Sequence, residues 1–270
     1  MKFMTSKTSV RGENSASSLL SLPTVAFAVE EQAERLFSLD RSFNLSIEWE
    51  GDPNASSESS ALWHSFREAL ASRSRLPKEV LKMRGMSGQK YRMLINNLVA
   101  SIALPRYLEI GSWLGSTACS AISGNALGIV CIDNWSEFEG PKDEFRRNIA
   151  SVIHAGAEFR LIESDFRAVD FTALGSPFNL YMFDGPHAYA DQYEGICIAA
   201  PALAQSYVQV VDDWNWPEVR EATWDAVRDT QIDVLFKIEV RTTQDGTQPV
   251  LRHQYSDWHN GYFIAVCRRR

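Results

Sequence analysis

The sequence predicts an α/β fold, a doubly wound, mostly parallel sheet with helices on both faces. Three observations predict it. From residue 107 onward, short apolar runs alternate with stretches whose apolar residues recur at helical spacing. Alternation of this kind builds parallel strands joined by crossover helices. The chain is 45% hydrophobic and 23% charged, which is a globular composition and excludes a collagen, a coiled coil or a wholly disordered chain. Its 270 residues suit one α/β domain with a surplus at one end.

The surplus is N-terminal. Residues 1–60 read as a Ser-rich, acidic extension, with 13 serines against 15 in the other 210 residues, and 9 acidic side chains against 5 basic ones. Within it, residues 29–37 fit a helix and 43–49 a strand. Lys2, Lys7 and Arg11 precede an apolar stretch over 18–28, which imitates a secretory signal. Ser21, Pro23 and Thr24 interrupt that stretch, so a cytoplasmic protein is expected. Residues 61–84 read as a helical lead-in, with Leu62, Phe66 and Leu70 on one face and Pro77 as the breaker.

Residues 85–270 form the main domain. A helix follows Gly88, with Tyr91, Leu94, Ile95 and Leu98 on one face. Strand 107–110 leads to helix 116–123, and strand 128–132 to a helix opened by Pro141. Strands 159–162 and 179–183 follow, then a helix over 188–203 and strand 207–211. Pro217 opens a helix to about residue 229, and strands 234–240 and 262–267 complete seven.

Charge and cysteines narrow the function. The net charge is −7, and the lone basic run, Arg268 to Arg270, reads as a solvated tail, so no nucleic-acid partner is expected. No run of about 18 apolar residues exists, so no membrane span is expected. Cys119, Cys131, Cys197 and Cys267 lack C-x-x-C spacing and sit in apolar contexts, as reduced, buried small hydrophobes would. The extension could also supply a homodimer contact.

Ligands of open α/β sheets bind beyond the carboxyl ends of the strands, near the switch point. The first strand ends Glu109-Ile110-Gly111-Ser112-Trp113-Leu114-Gly115-Ser116-Thr117. Gly111 permits a sharp turn, and Gly115 a close approach of backbone to a ligand. Ser116 and Thr117 place N–H groups and hydroxyls at a helix start. The G-x-x-x-G spacing lacks the middle glycine of a dinucleotide loop, which disfavours a nicotinamide dehydrogenase. The second strand ends in Asp133, where a carboxylate can accept from both ribose hydroxyls. The third is followed by Ser164 and Asp165, polar groups suited to an adenine edge. Trp135 either stacks on that base or belongs to the core.

On these residues, E-I-G-S-W-L-G-S-T, Asp133 and Ser164-Asp165 in order, residues 85–267 resemble the class I S-adenosylmethionine-dependent methyltransferases. The resemblance implies a Rossmann-like fold with S-adenosylmethionine as cofactor. Glu109, Gly111 and Gly115, with Ser112 in the same loop, would line its methionine part. Asp133 would hold the ribose, and Asp165 would lie near the adenine. Gly85-Met86-Ser87-Gly88 is similar to a segment that closes over the cofactor in small-molecule members, which adds Met86 and Ser87.

Two later strand ends carry further chemistry. The fourth strand runs into Asp184-Gly185-Pro186-His187-Ala188-Tyr189, and the fifth into Asp212-Asp213-Trp214-Asn215. Three carboxylates brought together repel unless a proton or cation neutralises them. Oxygen-only ligation suits a hard cation such as Mg²⁺. Alternatively, Asp212 and Asp213 cap the next helix and face solvent, and Asp184 serves the turn or the cofactor. D-G-P-H-A-Y and V-D-D resemble the macrocin O-methyltransferase group of metal-dependent sugar O-methyltransferases. That resemblance implies Asp184, Asp212 and Asp213 as metal ligands, His187 as general base, and a sugar or glycosylated natural-product hydroxyl, or a phenol, as acceptor. A cation on two neighbouring oxygens lowers a hydroxyl pKa, and a neutral histidine removes the proton. The other four histidines have no comparable setting.

Trp214 and Trp216 directly follow the ligands and are expected to wall the substrate, whereas most of Tyr189, Tyr193, Trp224, Tyr255, Trp258 and Tyr262 are expected in the core. Residues 136–142 fit either a mobile lid or a plain crossover loop. Two other readings stay open: a metal-independent methyltransferase, and a non-catalytic S-adenosylmethionine-binding protein on the same fold.

Overall fold

The computed structural model describes residues 45–175 and 177–270. The expected helix over 29–37 and the signal-like stretch lie outside the described residues. Eight strands form one sheet: β1 (Ser46–Gly51), β2 (Arg106–Ile110), β3 (Leu127–Asp133), β4 (Ala157–Glu163), β5 (Phe178–Phe183), β6 (Leu203–Val211), β7 (Ile232–Arg241) and β8 (Tyr262–Arg269). Their order is β1-β7-β8-β6-β5-β2-β3-β4. The five strands from β6 to β4 are parallel, whereas β8, β7 and β1 pair antiparallel.

Seven strands are expected in the main domain, and the strand expected over 43–49 joins them as an eighth, β1, at Ser46–Gly51. It runs antiparallel along β7, with Trp49 opposite Ile238, and the Trp49 ring lies 5.5 Å from Trp63. Part of the segment assigned to an extension is therefore an edge strand.

Side chains alternate across the sheet, as the strand period requires. On β5, Leu180 and Met182 face one apolar layer, and Tyr181 and Phe183 the other. The first layer is covered by α1 (Ser57–Leu70), α2 (Lys78–Lys82), α3 (Gln89–Ser101), α4 (Ser116–Ile122) and α5 (Lys142–Val152). The second is covered by α6 (Tyr189–Ile198) and α7 (Pro217–Asp229). The helix expected over 188–203 stops at Ile198, and a 3-10 turn holding Pro201 precedes β6. Proline there cannot donate to the helical ladder. Cys119, Cys131 and Cys267 are buried, but Cys197 is only half-buried. Among the described residues, no helix is long and apolar enough to cross a membrane.

The sheet lays three strand ends side by side. β2 leads to β3 and β4 on one side, and β5 and β6 lie on the other, so the switch point falls between β2 and β5. Hydrogen bonds continue just past the strands, from Asp184 N to Ile110 O at 2.9 Å and from Gly111 N to Ile132 O at 2.9 Å. Gly111 has φ +84°, and a Cβ there would stand 1.8 Å from the Asp184 carbonyl oxygen. Gly111→Ala is therefore expected to destabilise the fold by about 2–4 kcal/mol. Urea unfolding measures this, and a midpoint equal to wild type would contradict it.

Candidate active site

Beyond these strand ends opens a cleft of about 720 Å³. Of the residues singled out from the sequence, Met86, Ser87, Gly111, Ser112, Ser116 and Thr117 line it. So do Asp133, Trp135, Ser164, Asp165, Asp184, His187, Asp212 and Asp213.

Glu109 and Gly115 do not line it. Glu109 is fully buried beneath the loop and accepts from the Tyr107 hydroxyl at 2.7 Å. Burial raises its pKa, while hydrogen bonds from Tyr107, Ser112 and Thr117 pull the other way. Gly115 has φ +77°, and a Cβ there would meet the Phe145 ring at 2.8 Å. Its missing side chain thus makes room for α5 rather than for a ligand.

One end of the cleft is built around Asp133. Its Oδ2 accepts from Trp113 N at 2.7 Å, and its Oδ1 from Trp135 N at 2.6 Å. Both tryptophans have positive φ, +42° and +49°, a conformation that non-glycine residues adopt only when held. A carboxylate offers about four lone-pair sites, so Asp133 can still accept from a diol. Trp135 lines the cleft and also packs on Phe145 at 5.2 Å, as a core residue would. Residues 136–138 line the cleft too, with Phe138 60% exposed and edge-on to Trp113. On the facing wall, buried Arg92 donates to Ser87 Oγ and to the carbonyls of Val80, Met83 and Gly85. The Ser87 and Ser116 hydroxyls meet at 2.8 Å, which fastens residues 85–88 to the start of α4.

The other end is acidic. Asp212 and Asp213 are 3% and 8% exposed, and the residue capping α7 is Trp216. The solvent-facing, helix-capping alternative is thereby overturned. His187 Nε2 stands 3.5 Å from Asp184 Oδ1 and 3.6 Å from Asp213 Oδ2. Its Nδ1 faces Gln192 Oε1 at 3.2 Å, and Gln192 Nε2 donates to Thr223 Oγ1. A neutral imidazole with its proton on Nδ1 would donate to Gln192 and leave the Nε2 lone pair for the cleft.

Burial and then mutual repulsion raise the carboxyl pKa values. Asp184 is pushed well above the usual range by burial and the Asp213 charge, against a hydrogen bond with Asp212. Asp212 is pushed up by burial and the charges of Asp184 and Asp213, opposed by His187. Asp213 is raised by burial, opposed by His187 and by a hydrogen bond from Asn260. Asp212 Oδ1 is buried with no hydrogen-bond partner. Asp212 and Asp213, with an orphaned oxygen on Asp212, fit a divalent cation, whereas Asp184 hydrogen-bonds Asp212 but does not belong to the set of ligand atoms within 4.8 Å of one another.

Such pKa shifts have a consequence for stability. A carboxyl whose folded pKa lies above its unfolded value holds its proton longer when folded, so stability falls as pH rises through the folded pKa. Asp212→Asn removes one of these charges. It is expected to raise the melting temperature of the metal-free protein near neutral pH and to flatten its decline above about pH 4. Melting curves across pH check this, and an unchanged pH profile would contradict it.

Two histidines here escape sequence reasoning. His253 and His259 line the cleft, delivered by the connection between β7 and β8. Ligand atoms of Asp212, Asp213 and His259 lie within 4.8 Å of one another. His259 Nδ1 accepts from His253 N at 3.0 Å. Its neutral ring therefore carries the proton on Nε2, which makes it a donor rather than a cation ligand. Burial lowers its pKa to about 3, so it stays neutral. Trp214 is a correction: it is fully buried against Phe263 at 4.5 Å and walls nothing. Trp216 does line the cleft, edge-on to His187 at 5.7 Å. Of the other aromatics, Trp258 and Tyr262 are core and Tyr255 is 74% exposed.

Residues 108–214 match the family described as a methyltransferase domain, Methyltransf_24. The match begins in β2 and ends just past the paired aspartates, so it spans both ends of the cleft. Among solved structures, a protein from Corynebacterium glutamicum superposes with a TM-score of 0.50 at 13% identity, over 76% of this chain and 96% of that one. The two chains share a fold. The SAH-bound methyltransferase PaMTH1 from Podospora anserina gives a TM-score of 0.49 at 14% identity, covering 94% and 99% of the two chains. The O-methyltransferase TomG from Streptomyces achromogenes, involved in tomaymycin synthesis and solved with SAM, gives 0.46 at 16% identity, covering 77% and 89%. No curated protein matches the sequence.

Proposed function

We propose that the protein transfers the methyl group of S-adenosylmethionine to a small-molecule hydroxyl, with a divalent cation, Mg²⁺ in the simplest case, at Asp184, Asp212 and Asp213. The preferred acceptor is a vicinal diol on a sugar or glycosylated metabolite. The observation that carries this reading is the joining of two ends in one cleft: a carboxylate suited to a ribose, and the half-buried Asp184 with the buried Asp212 and Asp213 beside His187.

The residues divide the work. Asp133 accepts from the ribose hydroxyls while its backbone partners hold it still. Ser164 and Asp165 face the adenine edge from the loop after β4. Gly111, Ser112 and Ser116, with Met86 and Ser87 opposite, enclose the methionine part. Asp184, Asp212 and Asp213 would hold the cation, which would lower the acceptor hydroxyl pKa and fix its direction. His187 Nε2 takes the proton, and Gln192 Oε1 stabilises the imidazolium through Nδ1–H. S-adenosylmethionine, held by these residues, would supply an activated methyl carbon to the deprotonated hydroxyl oxygen, with its C–S bond broken and S-adenosylhomocysteine released. Trp216 and residues 136–138 keep water from the reacting atoms.

A labelled-methyl transfer screen over sugars, glycosides and catechols tests this, with and without chelator. Transfer lost on chelation and restored by Mg²⁺ is expected. Chelator-insensitive transfer would reject the cation. S-adenosylmethionine binding with no transfer to any acceptor would favour a non-catalytic binder.

A further inference from the structure

We infer that Asn260 is a positioning residue for Asp213, and that it fixes which carboxylate oxygen faces the reaction. The inference rests on the proposed acceptor site and goes beyond it, because Asn260 does not line the cleft and belongs to a different part of the chain from the carboxylates.

The orientation of the Asn260 amide follows from an unbroken chain of donors and acceptors. Backbone N–H groups only donate. Thr242 N and Thr243 N both point at Asn215 Oδ1, at 2.8 and 3.3 Å. That atom must therefore be the amide oxygen, and Asn215 Nδ2 must donate. One of its partners is Asn260 Oδ1 at 2.8 Å. Asn260 Nδ2 is left to donate to Asp213 Oδ1, at 3.0 Å. Flipping either amide would set two donors against each other.

Asp213 needs such a partner. It sits at φ +55°, in the left-handed region, at the end of β6. Its neighbours Asp184 and Asp212 repel it. With Oδ1 held by Asn260, Oδ2 is the atom that stands 3.6 Å from His187 Nε2. Asn260 is 1% exposed and Asn215 fully buried, so water cannot replace either. The backbone also ties these segments, through Asn215 N to Asn260 O at 3.0 Å and Trp214 N to Gly261 O at 3.3 Å. The fastening of the segments thus falls to the backbone and Asn215, and the Asn260 amide nitrogen is spent on the carboxylate alone.

Three variants of the full chain separate positioning from fastening. Asn260→Asp keeps the shape and still accepts from Asn215, but has nothing to donate to Asp213. Asn260→Ala removes both bonds. Thr242→Val removes a hydroxyl that accepts from Asn215 at 2.8 Å and never reaches Asp213. The readouts are the Mn²⁺ dissociation constant by electron paramagnetic resonance, the S-adenosylhomocysteine dissociation constant by calorimetry, and thermal melting. Both Asn260 variants are expected to weaken Mn²⁺ about 10–100-fold, as loss of a group orienting a ligand does, with S-adenosylhomocysteine affinity within about twofold of wild type. Thr242→Val is expected to melt earlier yet keep its Mn²⁺ affinity. Unchanged Mn²⁺ affinity in both Asn260 variants, or equal weakening in Thr242→Val, overturns the inference. If wild type itself takes up no Mn²⁺, the cation reading fails instead. The deciding measurement is then kcat for an acceptor from the screen: a tenfold or greater fall in Asn260→Asp at constant cofactor KM supports positioning, and an unchanged kcat overturns it.

Discussion

Asp212→Ala is expected to lower methyl transfer by at least about 100-fold, with S-adenosylhomocysteine binding nearly intact. The size follows from removing a group that acts on charge developing in the transition state, which costs about 3–4 kcal/mol in comparable sites. Asp212 is suited to such a split. It lies across the cleft floor from the loop after β2, and its Oδ1 has no hydrogen-bond partner that would tie it to a structural task. Single-turnover transfer with labelled cofactor gives the rate, and calorimetry the binding. Turnover within tenfold of wild type would defeat the assignment. With Asp212→Asn expected to stabilise the metal-free fold, the same position should gain stability as it loses function. A purely structural aspartate would lose stability on substitution.

His187→Ala is expected to cost about 10²–10⁴-fold in kcat, the usual range for a general base, and to leave Mn²⁺ uptake in place. The geometry behind this is the division of the ring. Gln192 takes the Nδ1 side at 3.2 Å, and the Nε2 side faces Asp184 and Asp213. Two carboxylates near Nε2 would by themselves draw a proton onto that nitrogen, which would turn a base into a donor. Gln192, buried and itself bonded to Thr223, opposes this by accepting from Nδ1. Partial rescue of His187→Ala by added imidazole is the accompanying expectation. Full activity without imidazole would remove His187 from the chemistry.

Much of the cleft was legible because its residues sit at strand ends, where a short apolar run stops at a polar or glycine residue. Gly111, Asp133, Asp184 and Asp212 all follow or finish such runs, and all line the cleft. What escaped depends on distance along the chain. His259, His253 and Asn260 lie in the connection over 242–261, which has no period and is positioned by tertiary contacts. No local pattern marks a histidine that arrives beside Asp213 from 46 residues away. Gly115 misled for a related reason. A glycine before a helix suits a ligand and a packed neighbour equally well, and here the neighbour is Phe145. Trp214 follows the paired aspartates in sequence, but the chain turns at Asp213, whose φ is +55°, and the indole enters the layer with Phe263.

The antiparallel pairing of β7 and β8 has an evolutionary consequence. The chain leaves β7 at Arg241 and re-enters at Tyr262, and the residues between them supply Gln248, His253 and His259 to the cleft wall. Hairpin neighbours keep their ladder whatever the length of the connection, and lengthening a loop costs little free energy. This wall of the cleft can therefore be rewritten by insertion or deletion, while the half around Asp133, which hangs on parallel strands and crossover helices, stays as it is. Residues 244–255 are accordingly where chains of this architecture should diverge first when they exchange one acceptor for another.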